Sequence, residues 1–455
     1  MKNNIFLFTS LTALSLLFVS CGKFLDVEPK KSTSDEVTIV DENSAKTAVR
    51  GIYNQLQSDG YYGYSFQILG FFSGDNIRYT GSQTVNNQLT NHNVKSDLAV
   101  LATSWTAIYN TINRANNVIA KVPQLATTAT FTPAIKNQLI GEAYFIRALA
   151  YFDLTRTWGG VQLILTPTTS PNDRPSIQRS SVAETYAQVL KDLIAAEDLL
   201  PETTNRIRAT KKTVWALKAR FYLYQNNWPE AEKYAGKIID DKTNYTLLNP
   251  YKSFFANNAS ATSESVLELY YNINVTNTQA YNWQPSAKGG VGWIRPTDKI
   301  AELLSDPAIG GDRKALVEKQ VINGADNWFG NLYYRTNGTD PAFLIRLAEL
   351  YLIRAEARAQ QENPDGARDD LNEIRKRSNV GILTTGTKEQ VLLAIENENR
   401  LEFALENHRW YDLIRTNRAK DVLGIADANK LRLPIPYSQT LIDPNLAPNP
   451  GYSSN

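Results

Sequence analysis

The sequence is poor in the side chains on which several classes of enzyme depend. Cys21 is the only cysteine among 455 residues, so no disulfide can form within the chain. The two histidines, His92 and His408, are far apart, and no cluster of cysteine and histidine indicates zinc. Motifs of serine hydrolases, P-loop proteins and dinucleotide-binding proteins do not occur. We therefore predict no metal site, no cofactor and no enzymatic activity.

An excess of charge of one sign is also lacking. The chain has 48 lysines and arginines against 46 acidic residues, which gives a net charge of +2. Because no run of basic residues occurs either, we predict no nucleic-acid-binding surface. Hydrophobic residues make up 42% of the chain, so it can bury a large core. At this length it need not be one compact domain.

Residues 1–20 have the pattern of a signal peptide. Lys2 precedes an apolar run over residues 5–19, which is too short to span a membrane as a stable helix. Cys21 follows directly after Ser20, an arrangement typical of a bacterial lipoprotein whose cysteine becomes the acylated N-terminus. We predict a lipid anchor on Cys21 that holds the chain on a membrane. The alternative is an unmodified cysteine after an ordinary secretory signal.

Residues 340–379 have the clearest pattern of two consecutive helices. Asp340 and Pro341 match an N-cap and first helical position, and apolar residues then recur every three or four positions. Asn363 and Pro364 predict the start of the second helix, which we expect to end near Gly381. The same spacing predicts further helices over residues 45–56, 98–122, 135–157, 182–200 and 210–225.

The predicted hairpin has an earlier copy at an offset of 136 residues. Ala219 corresponds to Ala355 and Asn227 to Asn363, and small and aromatic residues in the earlier copy have tetratricopeptide spacing. A chance match of two unrelated amphipathic hairpins is the alternative. We predict a mainly α fold in which residues 21–240 and 341–455 carry helical hairpins. Residues 241–340, rich in Asn, Thr, Gly and Pro, are expected to form an irregular loop-rich lobe with short strands.

Four stretches together resemble the SusD/RagB family of nutrient-binding lipoproteins of the Bacteroidetes outer membrane. They are residues 21–26 (CGKFLD), 141–154 (GEAYFIRALAYFDL), 402–415 (EFALENHRWYDLIR) and 445–452 (NLAPNPGY). The resemblance implies a scaffold of about four tetratricopeptide-like hairpins with a ligand-binding lobe. It also implies a lipid-anchored protein of the cell surface that delivers a nutrient to a TonB-dependent, SusC-like transporter. Most characterised members bind oligosaccharides, whereas some serve peptide uptake.

Capture of a sugar requires flat apolar rings and side chains that bond paired hydroxyls. In the lobe, Trp283 and Trp293 are the first candidates for such rings, with Asn282 beside the former, and Trp328 is the third. The N-terminal segment supplies another group of candidates, which comprises Asp75, Asn76, Arg78 and Tyr79. The resemblance favours this group as part of the ligand surface. No tryptophan lies between Tyr79 and Trp105, where starch-binding members carry one, so starch is not the first choice of ligand.

Several alternatives remain open from the sequence. The lobe tryptophans can equally anchor its core, and Asp75 and Arg78 can equally form a local turn and ion pair. A glycoside hydrolase needs two carboxylates at a set separation, and the lobe offers Glu264, Glu268, Asp298 and Asp306. Two further alternatives are the binding of a non-glycan nutrient, such as a peptide, and a pure protein-interaction scaffold.

Overall fold

The computed structural model describes residues 39–83, 86–168, 177–322, 324–443 and 445–452. The predicted signal peptide and the lipid anchor at Cys21 lie outside these residues. Across the described ranges, no helix combines the length and the apolar character needed to cross a membrane.

The protein is mainly α-helical, as the sequence predicts. The described helices are α1 (Glu42–Leu56), α2 (Ser65–Ser73), α3 (Asn87–Thr90), α4 (Ala99–Lys121), α5 (Pro133–Trp158), α6 (Val182–Leu199), α7 (Lys211–Tyr224), α8 (Trp228–Ile239), α9 (Gln279–Trp283), α10 (Asp298–Ser305), α11 (Leu347–Gln360), α12 (Pro364–Arg377), α13 (Lys388–Glu402), α14 (Arg409–Arg415), α15 (Ala419–Leu423) and α16 (Tyr437–Ile442). The strands are β1 (Ile77–Tyr79), β2 (Ser265–Leu269), β3 (Ile294–Pro296), β4 (Val317–Ile322), β5 (Ala325–Gly330) and β6 (Ala342–Arg346).

Among the described helices, four pairs form the scaffold. Helix α1 packs on α4, α5 on α6, α7 on α8, and α11 on α12. Consecutive pairs also touch, because α4 contacts α5, α6 contacts α7, and α8 contacts α11. The core is formed by the apolar faces of these helices. This arrangement confirms the predicted tetratricopeptide-like scaffold.

The two copies of the repeated hairpin have the same local structure. The side chains of Asn227 and Asn363 both cap the following helix, accepting the backbone N–H groups of Glu230 and Gly366 respectively. Each is preceded by a residue in the left-handed conformation, Asn226 in one copy and Glu362 in the other. The equivalent alanines at positions 219 and 355 are fully buried, which lets neighbouring helices approach closely. The predicted repeat is therefore confirmed.

The predicted start of the later hairpin at Asp340 is wrong. Residues 342–346 are apolar up to Arg346 and form strand β6, which pairs antiparallel with β2, so helix α11 begins only at Leu347. Asp340 is buried instead, accepts the backbone N–H of Arg335 and has its pKa raised to about 6 by burial. Long-range strand pairing has overridden a local helix-start signal.

Three two-stranded antiparallel sheets organise the lobe. β1 pairs with β3, β2 with β6, and β4 with β5. The first two sheets join the lobe to segments on either side of it, since β1 precedes the lobe and β6 follows it. The lobe thus contains short strands, as predicted. Two of its sheets attach it to the rest of the protein.

A buried network of charges fastens the lobe to the C-terminal helices. Arg346 donates to Glu264 at 2.8 Å and to Glu402 at 2.9 Å, and Arg377 pairs with the same two carboxylates. Arg313 donates to Glu402 at 2.9 Å. Each of these side chains is at most 3% exposed, so their charges depend on one another for stabilisation. We call these five residues the arginine–glutamate network.

Candidate ligand-binding surface

The pairing of β1 with β3 joins the two groups of residues that the sequence singled out. Arg78 lies opposite Arg295 and Tyr79 opposite Ile294, while the N–H of Thr80 donates to the carbonyl of Trp293 at 2.8 Å. In both strands the central residue is partly exposed and its neighbours are buried. Residues directly opposite one another project on the same face, so Arg78 and Arg295 lie side by side on the outer face of this sheet.

Asp75 and Asn76 bond to arginine side chains of helices α13 and α14. Asp75 pairs with Arg400 at 2.7 Å and with Arg409 at 2.8 Å. Asn76 is buried and accepts the Nε–H of Arg400 at 2.8 Å. The alternative of an ion pair between Asp75 and Arg78 is wrong, because Arg78 pairs with Asp298 instead.

Arg78 and Tyr79 keep unused hydrogen-bonding capacity. The guanidinium of Arg78 makes two contacts of 3.1 Å with the carboxylate of Asp298. Among the described residues, neither the Nε–H of Arg78 nor the hydroxyl of Tyr79 has a hydrogen-bond partner, although both atoms are buried. Buried polar atoms are usually paired, so these two are exceptions within the described residues.

Trp283 is enclosed in the core and cannot provide a ring to a ligand in this conformation. Its side chain is 0% exposed, lies edge-on to Phe71 and donates its indole N–H to Gln279 at 3.1 Å. Asn282 is also buried and donates to the carbonyl of Thr278. The expectation that Trp283 and Asn282 form a sugar platform is therefore corrected: they anchor the lobe, the alternative that the sequence left open.

Trp293 and Trp328 remain partly buried, with surface available to a ligand. The ring of Trp293 lies 6.4 Å from that of Tyr79 at an interplanar angle of 63°. Trp328 lies on β5, opposite Lys319 of β4, whose ammonium group is 5.5 Å from the Trp328 ring. Trp293 is thus the ring that adjoins the residues of the N-terminal segment.

Arg295 belongs to this surface, although sequence reasoning missed it. Its guanidinium lies over the ring of Phe329 at 4.5 Å, and donates to the carbonyl of Gly292 at 2.8 Å and to Asn327 Oδ1 at 2.6 Å. Burial, and then the charge of Arg78, lower the pKa of Arg295. Sequence reasoning missed Arg295 because its place opposite Arg78 depends on the register of β1 with β3, which local patterns do not record.

A separate cavity of about 410 Å³ lies between α11, α13 and α14. Its polar walls are largely ion pairs: Arg415 contacts Glu356 at 2.6 Å, and Arg418 contacts Glu396 at 3.0 Å. The charges there neutralise one another, so this cavity shows no preference for a ligand of either sign.

The four carboxylates considered for hydrolysis differ in their burial and in their partners. Glu264 is held by Arg346 and Arg377 in the arginine–glutamate network. Glu268 is fully buried, and burial raises its pKa. Asp298 is exposed and paired with Arg78. Asp306 is exposed as well and accepts the backbone N–H of Ala308 at 2.8 Å. Two of the four carboxylates are thus buried and two are exposed.

Two family models match the chain. One, described as starch-binding associating with outer membrane, matches residues 23–223, and the SusD family model matches residues 319–430. The two ranges together span more than half of the sequence and fall on both parts of the helical scaffold. The chain belongs to the SusD/RagB family.

Similar proteins match from about two thirds to nearly all of the chain. SusD-like protein P38 of Formosa agariphila is 26% identical over 99% of this chain and 99% of its own length. The starch-binding protein SusD of Bacteroides thetaiotaomicron is 24% identical over 68% of this chain and 72% of its own length.

Solved structures show the same fold. A SusD superfamily protein from Bacteroides vulgatus superposes with a TM-score of 0.82 at 22% identity, covering 92% of this chain and 100% of the other. A laminarin-binding SusD-like protein has a TM-score of 0.77 at 22% identity, covering 91% of this chain and 100% of the other.

Proposed function

We propose that this protein binds a glycan on the surface formed by β1 and β3. The observation that carries the proposal is the strand pairing itself, which joins Arg78 and Tyr79 to Trp293 across more than 200 residues of sequence. A partly exposed indole can stack on the C–H face of a sugar, and neighbouring arginines can bond its oxygens. The names of two similar proteins, one starch-binding and one laminarin-binding, support this class of ligand.

The proposal includes a place in the cell and a partner. The bound glycan is delivered to a TonB-dependent, SusC-like transporter in the outer membrane. The protein is held on the cell surface by a lipid on Cys21. The description of the matching family model, which includes association with the outer membrane, supports this location. The role is binding without catalysis, in keeping with the burial of Glu264 and Glu268.

Affinity electrophoresis of the soluble chain from residue 22 onward tests the proposal. We expect gels that contain the right polysaccharide to retard the wild type, and Trp293→Ala to weaken binding at least tenfold, about 1.4 kcal/mol. Trp228→Ala is a matched control, because Trp228 is also partly buried but lies on scaffold helix α8. Equal retardation of Trp293→Ala and wild type would remove this surface from the glycan site.

A further inference from the structure

Two arginines face each other directly on the outer face of the β1–β3 sheet. Arg78 and Arg295 are partners in the antiparallel register. Like charges at directly opposite positions of a strand pair repel each other and destabilise the pairing. The two guanidinium groups therefore repel each other in the free protein, and an anion bound between them would offset this repulsion.

The positive charge of this pair is only partly neutralised by the protein. Arg78 shares its charge with Asp298, but that carboxylate is 57% exposed, and an exposed ion pair contributes at most about 1 kcal/mol. Arg295 donates to a carbonyl and an amide oxygen, both of them neutral. Within the described ranges, Arg295 forms no ion pair with a carboxylate, and the charge that acts on it is that of Arg78.

Two other basic residues of the lobe are paired with carboxylates. Lys319 pairs with Asp326 across the β4–β5 hairpin, and Lys288 pairs with Glu318 at 2.5 Å. These two lysines therefore differ from Arg295, which has no carboxylate partner within the described ranges. Next to that pair, the Nε–H of Arg78 and the hydroxyl of Tyr79 are buried donors without partners among the described residues.

These observations indicate the charge of the ligand, an inference that rests on the proposed function. We propose that the ligand is an acidic glycan, whose carboxylate or sulfate groups bind between Arg78 and Arg295 while an adjacent sugar ring stacks on Trp293. Guanidinium groups bind carboxylates and sulfates through two parallel hydrogen bonds, which gives both affinity and orientation. An uncharged glycan would leave the repulsion between the arginines in place.

The test compares acidic with uncharged polysaccharides on the same protein. The soluble chain from residue 22 onward is run through gels with alginate, polygalacturonate, hyaluronan, chondroitin sulfate or carrageenan, and through gels with starch, laminarin, xylan or galactomannan. We expect at least one acidic polysaccharide to bind at least tenfold more tightly than every uncharged one. We also expect the affinity to fall as salt concentration rises, because the contact is ionic.

Variants test whether the arginine pair causes the preference for acidic polysaccharides. Arg295→Gln keeps hydrogen-bond donors but removes the charge, and should reduce binding of the acidic polysaccharide at least tenfold. Lys319→Gln is the matched control, since it removes one positive charge from the same lobe at a residue paired with Asp326, and should change binding less than twofold. Arg78→Gln, at the partly exposed partner position, provides a second variant should Arg295→Gln fail to fold.

The outcomes separate the two proposals. Retardation only by uncharged polysaccharides, relieved by Trp293→Ala, would overturn the acidic ligand and leave glycan binding intact. An equal loss in Lys319→Gln and Arg295→Gln would show non-specific attraction and would also overturn the acidic site. Retardation by none of the nine polysaccharides would overturn both proposals.

Discussion

Trp283 and Trp293 belong to the same lobe but occupy opposite environments. Trp283 is fully enclosed, and its ring packs so closely on Gly330 that a methyl group there would lie 2.5 Å from it. Trp293 retains exposed surface beside Tyr79. At the scale of residues, one indole therefore contributes to stability, and the other is free to contribute to binding.

We predict that Trp283→Ala lowers the free energy of unfolding by about 3–5 kcal/mol, the range for truncating a buried tryptophan. Urea unfolding followed by far-UV circular dichroism measures the change. Trp293→Ala is the comparison and should cost less than half as much, because its ring is already partly in water. Equal losses for the two variants would contradict the assignment of Trp283 to the core.

At the scale of elements, the repeated hairpin is specified by its turns. In both copies an asparagine side chain accepts a backbone N–H in the first turn of the second helix, and proline follows at the helix start. These signals are local, so they act in the same way at two places in the chain. The capping asparagines thus contribute to the stability of the scaffold.

Asn227→Ala and Asn363→Ala should each lower the free energy of unfolding by about 1 kcal/mol, since each removes one cap. Gln225→Ala is the control, because Gln225 is an exposed neighbour that ends helix α7 through its backbone N–H, a contact that alanine keeps. Urea unfolding at neutral pH measures all three variants. A cap variant that is as stable as Gln225→Ala would show that water replaces the asparagine without loss.

At the scale of the whole molecule, the arginine–glutamate network joins the lobe to the scaffold. Glu264 and Arg313 come from the lobe, and Arg346, Arg377 and Glu402 come from the segments that follow it. Removing one member would leave buried charges with fewer partners, which is far more costly than losing a surface pair. We therefore expect the lobe and the C-terminal helices to unfold together.

Glu402→Gln should lower the free energy of unfolding at pH 7 by about 3–5 kcal/mol. Burial raises the pKa of Glu402, but Arg377, Arg346 and Arg313 together outweigh burial and hold the pKa at about 2. Since the unfolded-state pKa is near 4.5, this carboxylate stabilises the fold fully above that pH and progressively less as pH falls towards 2.

The difference in stability between wild type and Glu402→Gln should therefore shrink as pH falls from about 4.5 towards 2. Urea unfolding at several pH values, followed by tryptophan fluorescence and circular dichroism, measures it. The two probes should give one common transition for the wild type. Separate transitions would show that the network does not couple the lobe to the helices.

The sequence by itself determined the helical hairpins, their repeat and the family, because helix periodicity, caps and motifs are encoded by neighbouring residues. It also identified Arg78, Tyr79 and Trp293 as candidates. Only the tertiary structure decided that Trp283 is buried and that Arg295 lies opposite Arg78. The contact of Trp283 with Phe71 and the register of β1 with β3 join residues more than 200 positions apart, which local patterns do not record.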